Sequence, residues 1–265
     1  MAFDLSSITT GRVDLPPRII ILGTPKVGKS TFGCSAPDVI VLPIKGEEGV
    51  DDLDCAKFPT CPTFDDVISA LASLAEGEHK YRYVMLDSTS TLEPMIWDAV
   101  CREVGDKNGR PCSQIELVGG GYGKGYASAL SYWRRITDTL DYLRRERGMG
   151  CILTGHVKVK VFNDPLVDPY DQFQWDIHQQ AASCLLKWAD VILFARHAQY
   201  TRTLEDTGKG KNPDRVRASG TGERRLYTQE RPAHPGGGRG VYGRLPYEIP
   251  LSWADWMAAV SAASK

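Results

Sequence analysis

Gly23-Thr24-Pro25-Lys26-Val27-Gly28-Lys29-Ser30 is the stretch on which the reading of this chain turns. It satisfies the pattern G-x-x-x-x-G-K-[ST], whose glycines let the backbone point its N–H groups inward around a phosphate. In that pattern Lys29 reaches the outer phosphates and the Ser30 hydroxyl ligates magnesium. The candidate cradle for ATP and Mg2+ is therefore Gly23, Thr24, Pro25, Lys26, Val27, Gly28, Lys29, Ser30 and the adjoining Thr31. A glycine turn that merely opens a helix is the bland alternative. Context weakens it: Arg18-Ile19-Ile20-Ile21-Leu22, a β-branched run suited to a strand buried on both faces, precedes the turn, and residues 29–34 read as a helix.

Working outward, further short apolar runs at 39–42, 81–86, 151–154 and 191–195 read as strands. Helical spacing covers 63–74, 92–104, 127–147 and 178–188. The longest of these repeats Leu130, Trp133, Ile136, Leu140 and Leu143 on one stripe. Strands alternating with helices predict an α/β fold with a mostly parallel central sheet and helices on both faces. Residues 1–17, ending in Pro16-Pro17, read as a lead-in segment. Residues 18–265 form the ATPase domain, in which 199–250 is rich in hairpins and loops and 252–263 is a last helix. The polar, glycine-rich stretch 105–125 reads as a mobile loop.

Composition narrows the function classes. With 265 residues at 42% hydrophobic content the chain can bury one large core. Its 32 basic and 33 acidic residues nearly cancel, so a polyanion would have to bind a local patch. Seven cysteines without metal-ligand spacing predict free thiols. No signal-like or membrane-spanning apolar run occurs, which predicts a cytoplasmic location without membrane contact.

Three more positions carry chemistry. Asp87 ends the run Tyr83-Val84-Met85-Leu86 and presents a carboxylate at a strand's carboxyl edge, the second anchor for magnesium beside Ser30. Glu47, in Lys45-Gly46-Glu47-Glu48-Gly49 after the second strand, either polarises the attacking water or belongs to a solvated acidic loop. His156 ends the fourth strand in Thr154-Gly155-His156, read as lying between the strand of the glycine turn and that of Asp87. It can contact the γ-phosphate or simply hold structure. Lys158 and Lys160 open a loop that could touch DNA phosphates, with a solvated charge pair as the default. Tyr122, Tyr126, Tyr170, Phe173 and Trp175 lie in or beside the two long loops, where stacking on bases competes with packing onto the core.

With these elements placed, the chain resembles the phage-encoded RecA-like ATP-binding proteins, AAA/RecA-type P-loop ATPases that include single-strand annealing recombinases. The resemblance is carried by Gly28-Lys29-Ser30-Thr31, Ser35-Ala36-Pro37, Gly46-Glu47-Glu48-Gly49-Val50-Asp51-Asp52-Leu53, Leu86-Asp87-Ser88, Arg147-Gly148-Met149, Thr154-Gly155-His156, Phe162-Asn163-Asp164-Pro165, Trp188-Ala189-Asp190 and Leu245-Pro246. It implies a RecA-like P-loop NTPase fold with ATP at the subunit interfaces of a homo-oligomeric ring or filament. Single-stranded DNA is the implied partner, and a phage or host single-strand-binding protein a further one. By the same likeness Glu47 is the water-orienting carboxylate with Glu48 as its substitute, His156 is the γ-phosphate sensor, and residues 157–176 face the DNA. The family's Lys-x-Arg pair is not matched in Arg239-Gly240-Val241-Tyr242-Gly243-Arg244, so Arg239 and Arg244 are only candidates for a trans-acting finger.

The leading expectation is an ATPase stimulated by single-stranded DNA that promotes phage recombination or strand annealing. Lys29, Glu47 and His156 are its catalytic candidates. The competing readings are a small-molecule or nucleotide kinase, with a lid arginine from Arg134-Arg135 or Arg144-Arg145, and a non-catalytic nucleotide-binding scaffold.

Overall fold

The computed structural model describes residues 4–11, 13–47, 49–203 and 216–265, with the backbone alone at 7, 200–203, 216–219 and 221. Glu48 lies outside the described residues. The chain runs β1 (Arg18–Gly23), α1 (Lys29–Cys34), β2 (Val39–Pro43), β3 (Ala56–Lys57), α2 (Phe64–Glu76), β4 (Tyr83–Asp87), α3 (Thr89–Glu103), α4 (Lys124–Glu146) and β5 (Gly150–Phe162). It continues with β6 (Tyr170–Trp175), α5 (Gln179–Trp188), β7 (Val191–Thr203), β8 (Val216–Tyr227), β9 (Gly237–Gly238), β10 (Glu248–Pro250) and α6 (Trp253–Ala263).

The described strands form one sheet in the order β10-β8-β7-β1-β5-β4-β2-β3, with β6 on β5 and β9 on β7. From β7 to β3 the pairing is parallel, and β6, β8, β9 and β10 join antiparallel. β5 does lie between β1 and β4, which brings the ends of three parallel strands to one edge.

Why the central strands read as unbroken apolar runs is clear from the two cores. Ile19 and Ile21 of β1, Met85 of β4 and Ile152 of β5 pack with Phe32 of α1 and with Trp253 and Trp256 of α6. Ile20 and Leu22, Val84 and Leu86, and Cys151 and Leu153 point the other way, onto α2 to α5. Each fully buried Ile or Leu contributes about 1.5–3 kcal/mol relative to exposure, so neither face tolerates a polar residue. Helix α2 starts where a capping box stands, Thr63 accepting from the Asp66 N–H and Asp66 reaching back to Thr63.

At the amino edge of the sheet, Arg18 grips Asp190 through Nη2 at 2.8 Å and Asp141 through Nη1 at 3.2 Å, and Arg144 adds a 3.0 Å contact to Asp190. Burial pushes the Asp190 carboxyl up, but the two arginines more than offset it and leave it below the usual range.

Two expectations are corrected. The fourth strand does not stop at Thr154; β5 continues to Phe162 and pairs with β6 from Val157↔Trp175 to Phe162↔Tyr170. Lys158 and Lys160 therefore sit on a hairpin arm. The alternation Val157-Lys158-Val159-Lys160-Val161 is the period of a strand, which the charges obscured. Residues 105–125 are not merely a loose loop either, because a 3-10 segment (Ile115–Gly120) buries Ile115 and Val118 in the core beneath α3 and α4. All seven cysteines are free thiols.

Candidate nucleotide site

Strand β1 delivers the glycine turn to the carboxyl edge of the sheet. There Gly23 pairs in register with His156 on β5 and with Ala195 on β7. A β-carbon at Gly23 would stand 2.4 Å from the Ala195 carbonyl oxygen, so only glycine lets the strands run this close. The turn then passes through left-handed backbone at Lys26 and Gly28, with φ of 62° and 106°. Such alternation turns successive N–H groups into one concavity, an anion nest. Gly28 is where a side chain would be strained.

Lys29 opens α1 and is buried. Its Nζ donates to the Gly23 and Thr24 carbonyls at 3.1 and 3.0 Å and lies 3.4 Å from Nδ1 of His156. Burial lowers its pKa to about 8, against the pull of Asp87 and Glu47. The ammonium is thus held across the turn by carbonyls that compete poorly with a phosphate.

Asp87 ends β4 beside Pro43 of β2 and is buried. Oδ1 accepts from the Thr154 hydroxyl, while Oδ2 is buried and accepts no hydrogen bond among the described residues. Burial pushes this carboxyl up, with the neighbouring Ser30 and Thr154 hydroxyls acting the other way. A buried carboxylate oxygen without a partner is costly unless a cation or donor meets it.

Glu47 follows β2, and its carboxylate accepts from the Ser88 hydroxyl at 3.0 Å. His156 Nε2 lies 3.0 Å from Glu47 Oε2. The hydrogen bond with His156 outweighs burial and holds the Glu47 carboxyl below its ordinary value, so the group is ionised at neutral pH. Because the Lys29 ammonium can only donate, Nδ1 of His156 is the acceptor and Nε2–H the donor. The backbone N–H of His156 donates to the Ser90 hydroxyl at 3.0 Å, which fixes the main chain where β5 passes the nucleotide edge.

Lys29, Asp87, Glu47 and His156, drawn from four separate segments, thus meet at one edge. A match to a family model described as an AAA domain covers residues 15–240, and so spans both the turn and the catalytic candidates. The chain belongs to the AAA domain family. This makes it a nucleotide-binding P-loop ATPase domain, and the mostly parallel sheet with helices on both faces is the fold that class requires. No curated protein matches the chain.

The other sequence candidates of this AAA domain sit elsewhere. Lys158 is ion-paired with Asp176 at the base of the hairpin, and Lys160 is exposed farther out. Arg239 donates to the Lys187 carbonyl and approaches Asp190 at 3.9 Å, at the amino edge and away from this chain's own turn. Arg244 is exposed at the end of the 3-10 turn Gly240–Arg244. Arg144 is committed to Asp190 and the Pro16 carbonyl at the same amino edge, and Arg135 lies over the Phe64 and Tyr132 rings. Neither Arg144 nor Arg135 overhangs the turn as a kinase lid. Among the aromatics, Trp175 is buried, Phe173 packs on Phe194 and Tyr126 stacks on His178 at 4.1 Å, while Tyr122 is fully exposed.

Sequence reasoning gave no role to Ser88, Ser90 or Thr154. Ser88 follows β4, Ser90 lies in the first turn of α3 and Thr154 lies within β5; all three are small hydroxyls next to assigned carboxylate and imidazole groups, a pattern that could have flagged them.

Ser30 and Asp87 fit a magnesium ion. Among the described residues no cluster of three or more His, Cys, Asp or Glu could hold a metal alone. Mg2+ is usually held by one or two protein oxygens with phosphates and waters, which suits a site offering one hydroxyl and the orphaned Oδ2 of Asp87.

Proposed function

We propose that this protein hydrolyses ATP, that single-stranded DNA stimulates it, and that it acts in phage recombination or strand annealing as a homo-oligomer. The observation that supports hydrolysis is the triad-like chain Lys29–His156–Glu47 beside an unpartnered Asp87 oxygen. The turn amides and Lys29 bind the phosphates, and Mg2+, held by Ser30 and Asp87, supplies charge neutralisation when bound. Glu47, ionised and oriented by Ser88 and His156, accepts a proton from the attacking water. His156 touches both Lys29 and Glu47, so it is placed to respond when the terminal phosphate leaves.

For DNA, the support is covalent continuity. β5 carries His156 at the nucleotide edge and, two and four residues on, Lys158 and Lys160 on the projecting hairpin. With Lys158 already paired to Asp176, Lys160 is the more available cation. The resemblance to RecA-like proteins supplies the single-stranded partner and the ring or filament, with ATP sites completed by Arg239 or Arg244 of a neighbour.

The test is ATP turnover at low salt with and without single-stranded DNA, in the wild type and in Lys160→Glu. Stimulation by DNA that Lys160→Glu removes, with basal turnover kept, supports the reading. Turnover indifferent to DNA sinks the nucleic-acid part, and phosphate passing to an added nucleotide would favour a kinase.

A further inference from the structure

Strand β8 runs antiparallel to β7 and places Arg224 opposite His197, just beyond the Gly23↔Ala195 pair at the nucleotide edge. A β-carbon on Gly28 would stand 2.8 Å from Nη1 of Arg224 and 3.6 Å from Cδ2 of Leu251. The guanidinium therefore lies directly against the turn that cradles phosphate. The backbone behind it is fixed, since the Leu251 N–H donates to the Arg224 carbonyl at 3.1 Å. Its neighbour Arg225 is spent on Glu223 and Glu248. Arg224, by contrast, has no carboxylate partner among the described residues. A cation with no carboxylate partner among the described residues, standing over a nest of N–H groups, is suited to an anion arriving between them. Leu251 also lines a hollow of about 410 Å³ with Thr31, Phe32, Ser35 and Trp253, leaving room beside the turn for the rest of a nucleotide.

We propose that Arg224 is a nucleotide-binding residue supplied by the chain to its own site, its guanidinium hydrogen-bonding the phosphate chain of the nucleotide held on the Gly23–Gly28 turn. This rests on the nucleotide reading above. It is distinct from any finger lent by a neighbouring subunit, because Arg224 reaches the turn of the same chain.

Titration calorimetry with a non-hydrolysable ATP analogue and Mg2+ tests this on the wild type, Arg224→Ala, Arg224→Lys and Lys29→Ala, with thermal midpoints recorded for each. Arg224→Ala is expected to bind about tenfold more weakly, the factor carried by one charge-assisted contact. Its deficit shrinks as salt rises, its midpoint is unchanged, and Arg224→Lys recovers part of the loss. Affinity within about twofold of wild type in Arg224→Ala, with binding lost in Lys29→Ala, overturns the proposal and leaves the nucleotide site standing. A loss that salt does not alter and that comes with a lowered midpoint also overturns it, since the arginine then only packs. Unchanged binding in Lys29→Ala removes the nucleotide reading itself, and Arg224 with it.

Discussion

His156 Nε2 lies 3.0 Å from Oε2 of Glu47, across 109 residues of chain, and on its far side Nδ1 lies 3.4 Å from the Lys29 ammonium. One imidazole thus bridges the group that would grip the phosphates and the group that would accept a proton from water. Glu47→Gln keeps a hydrogen-bonding amide but has no charge with which to draw that proton. Its kcat is expected to fall about 100-fold or more while nucleotide affinity stays within a few-fold. Steady-state turnover beside calorimetric binding checks it; undiminished kcat would assign Glu47 to the loop alone.

The orphaned Oδ2 of Asp87 sets a second expectation. A ligand present at about 100 times its Kd stabilises the folded state by about 2.7 kcal/mol, so the ATP analogue with Mg2+ should raise the melting midpoint clearly. Chelating the metal should remove most of that rise in the wild type and change little in Asp87→Asn. Equal metal dependence in the two proteins would place the ion elsewhere.

Asp190 sits at the opposite edge of the sheet, between Arg18 and Arg144. Removing one partner from a largely buried ion cluster leaves the remaining charges uncompensated, and Asp190→Ala is expected to cost about 3 kcal/mol of stability. Denaturant midpoints measure this. Nucleotide affinity should be untouched in the folded variant, because this cluster and the turn occupy different ends of β1.

Glu93 on α3 offers a pH test outside the nucleotide edge. It is buried, both its oxygens accept from the His178 N–H, and burial raises its pKa to about 7. A carboxyl whose folded pKa exceeds its unfolded value holds more protons when folded, so its contribution to stability falls as pH rises from about 4.5 to about 7. Glu93→Gln, which cannot ionise, should therefore melt a few degrees above wild type at pH 8 and with no advantage below pH 4.5. A wild type that is the more stable at pH 8 would mean that the ionised carboxylate is a net asset.

Much of the nucleotide edge was legible because its signals are local. The turn needs two glycines and Lys-Ser within eight residues, and Asp87 needs only to follow a buried strand. The hairpin arm was misread as a loop since two lysines on alternate positions look like a solvated run, whereas strand pairing with β6 is a long-range event. Ser88, Ser90 and Thr154 are short hydroxyls whose partners come from other strands, so no window of sequence contains the interaction.

What the sequence determined by itself was the strand-turn-helix with its phosphate pattern, the alternation of strands and helices that demands a mostly parallel sheet, and the acid at the end of β4. These follow from side-chain periodicity and backbone permissiveness, which act over a few residues. Only the tertiary structure decided that His156 would stand between Lys29 and Glu47, that Asp87 would keep one oxygen unpartnered, and that Arg224 would lie against Gly28. Those distances are set by which strands become neighbours and in what register, a property of the whole packed core.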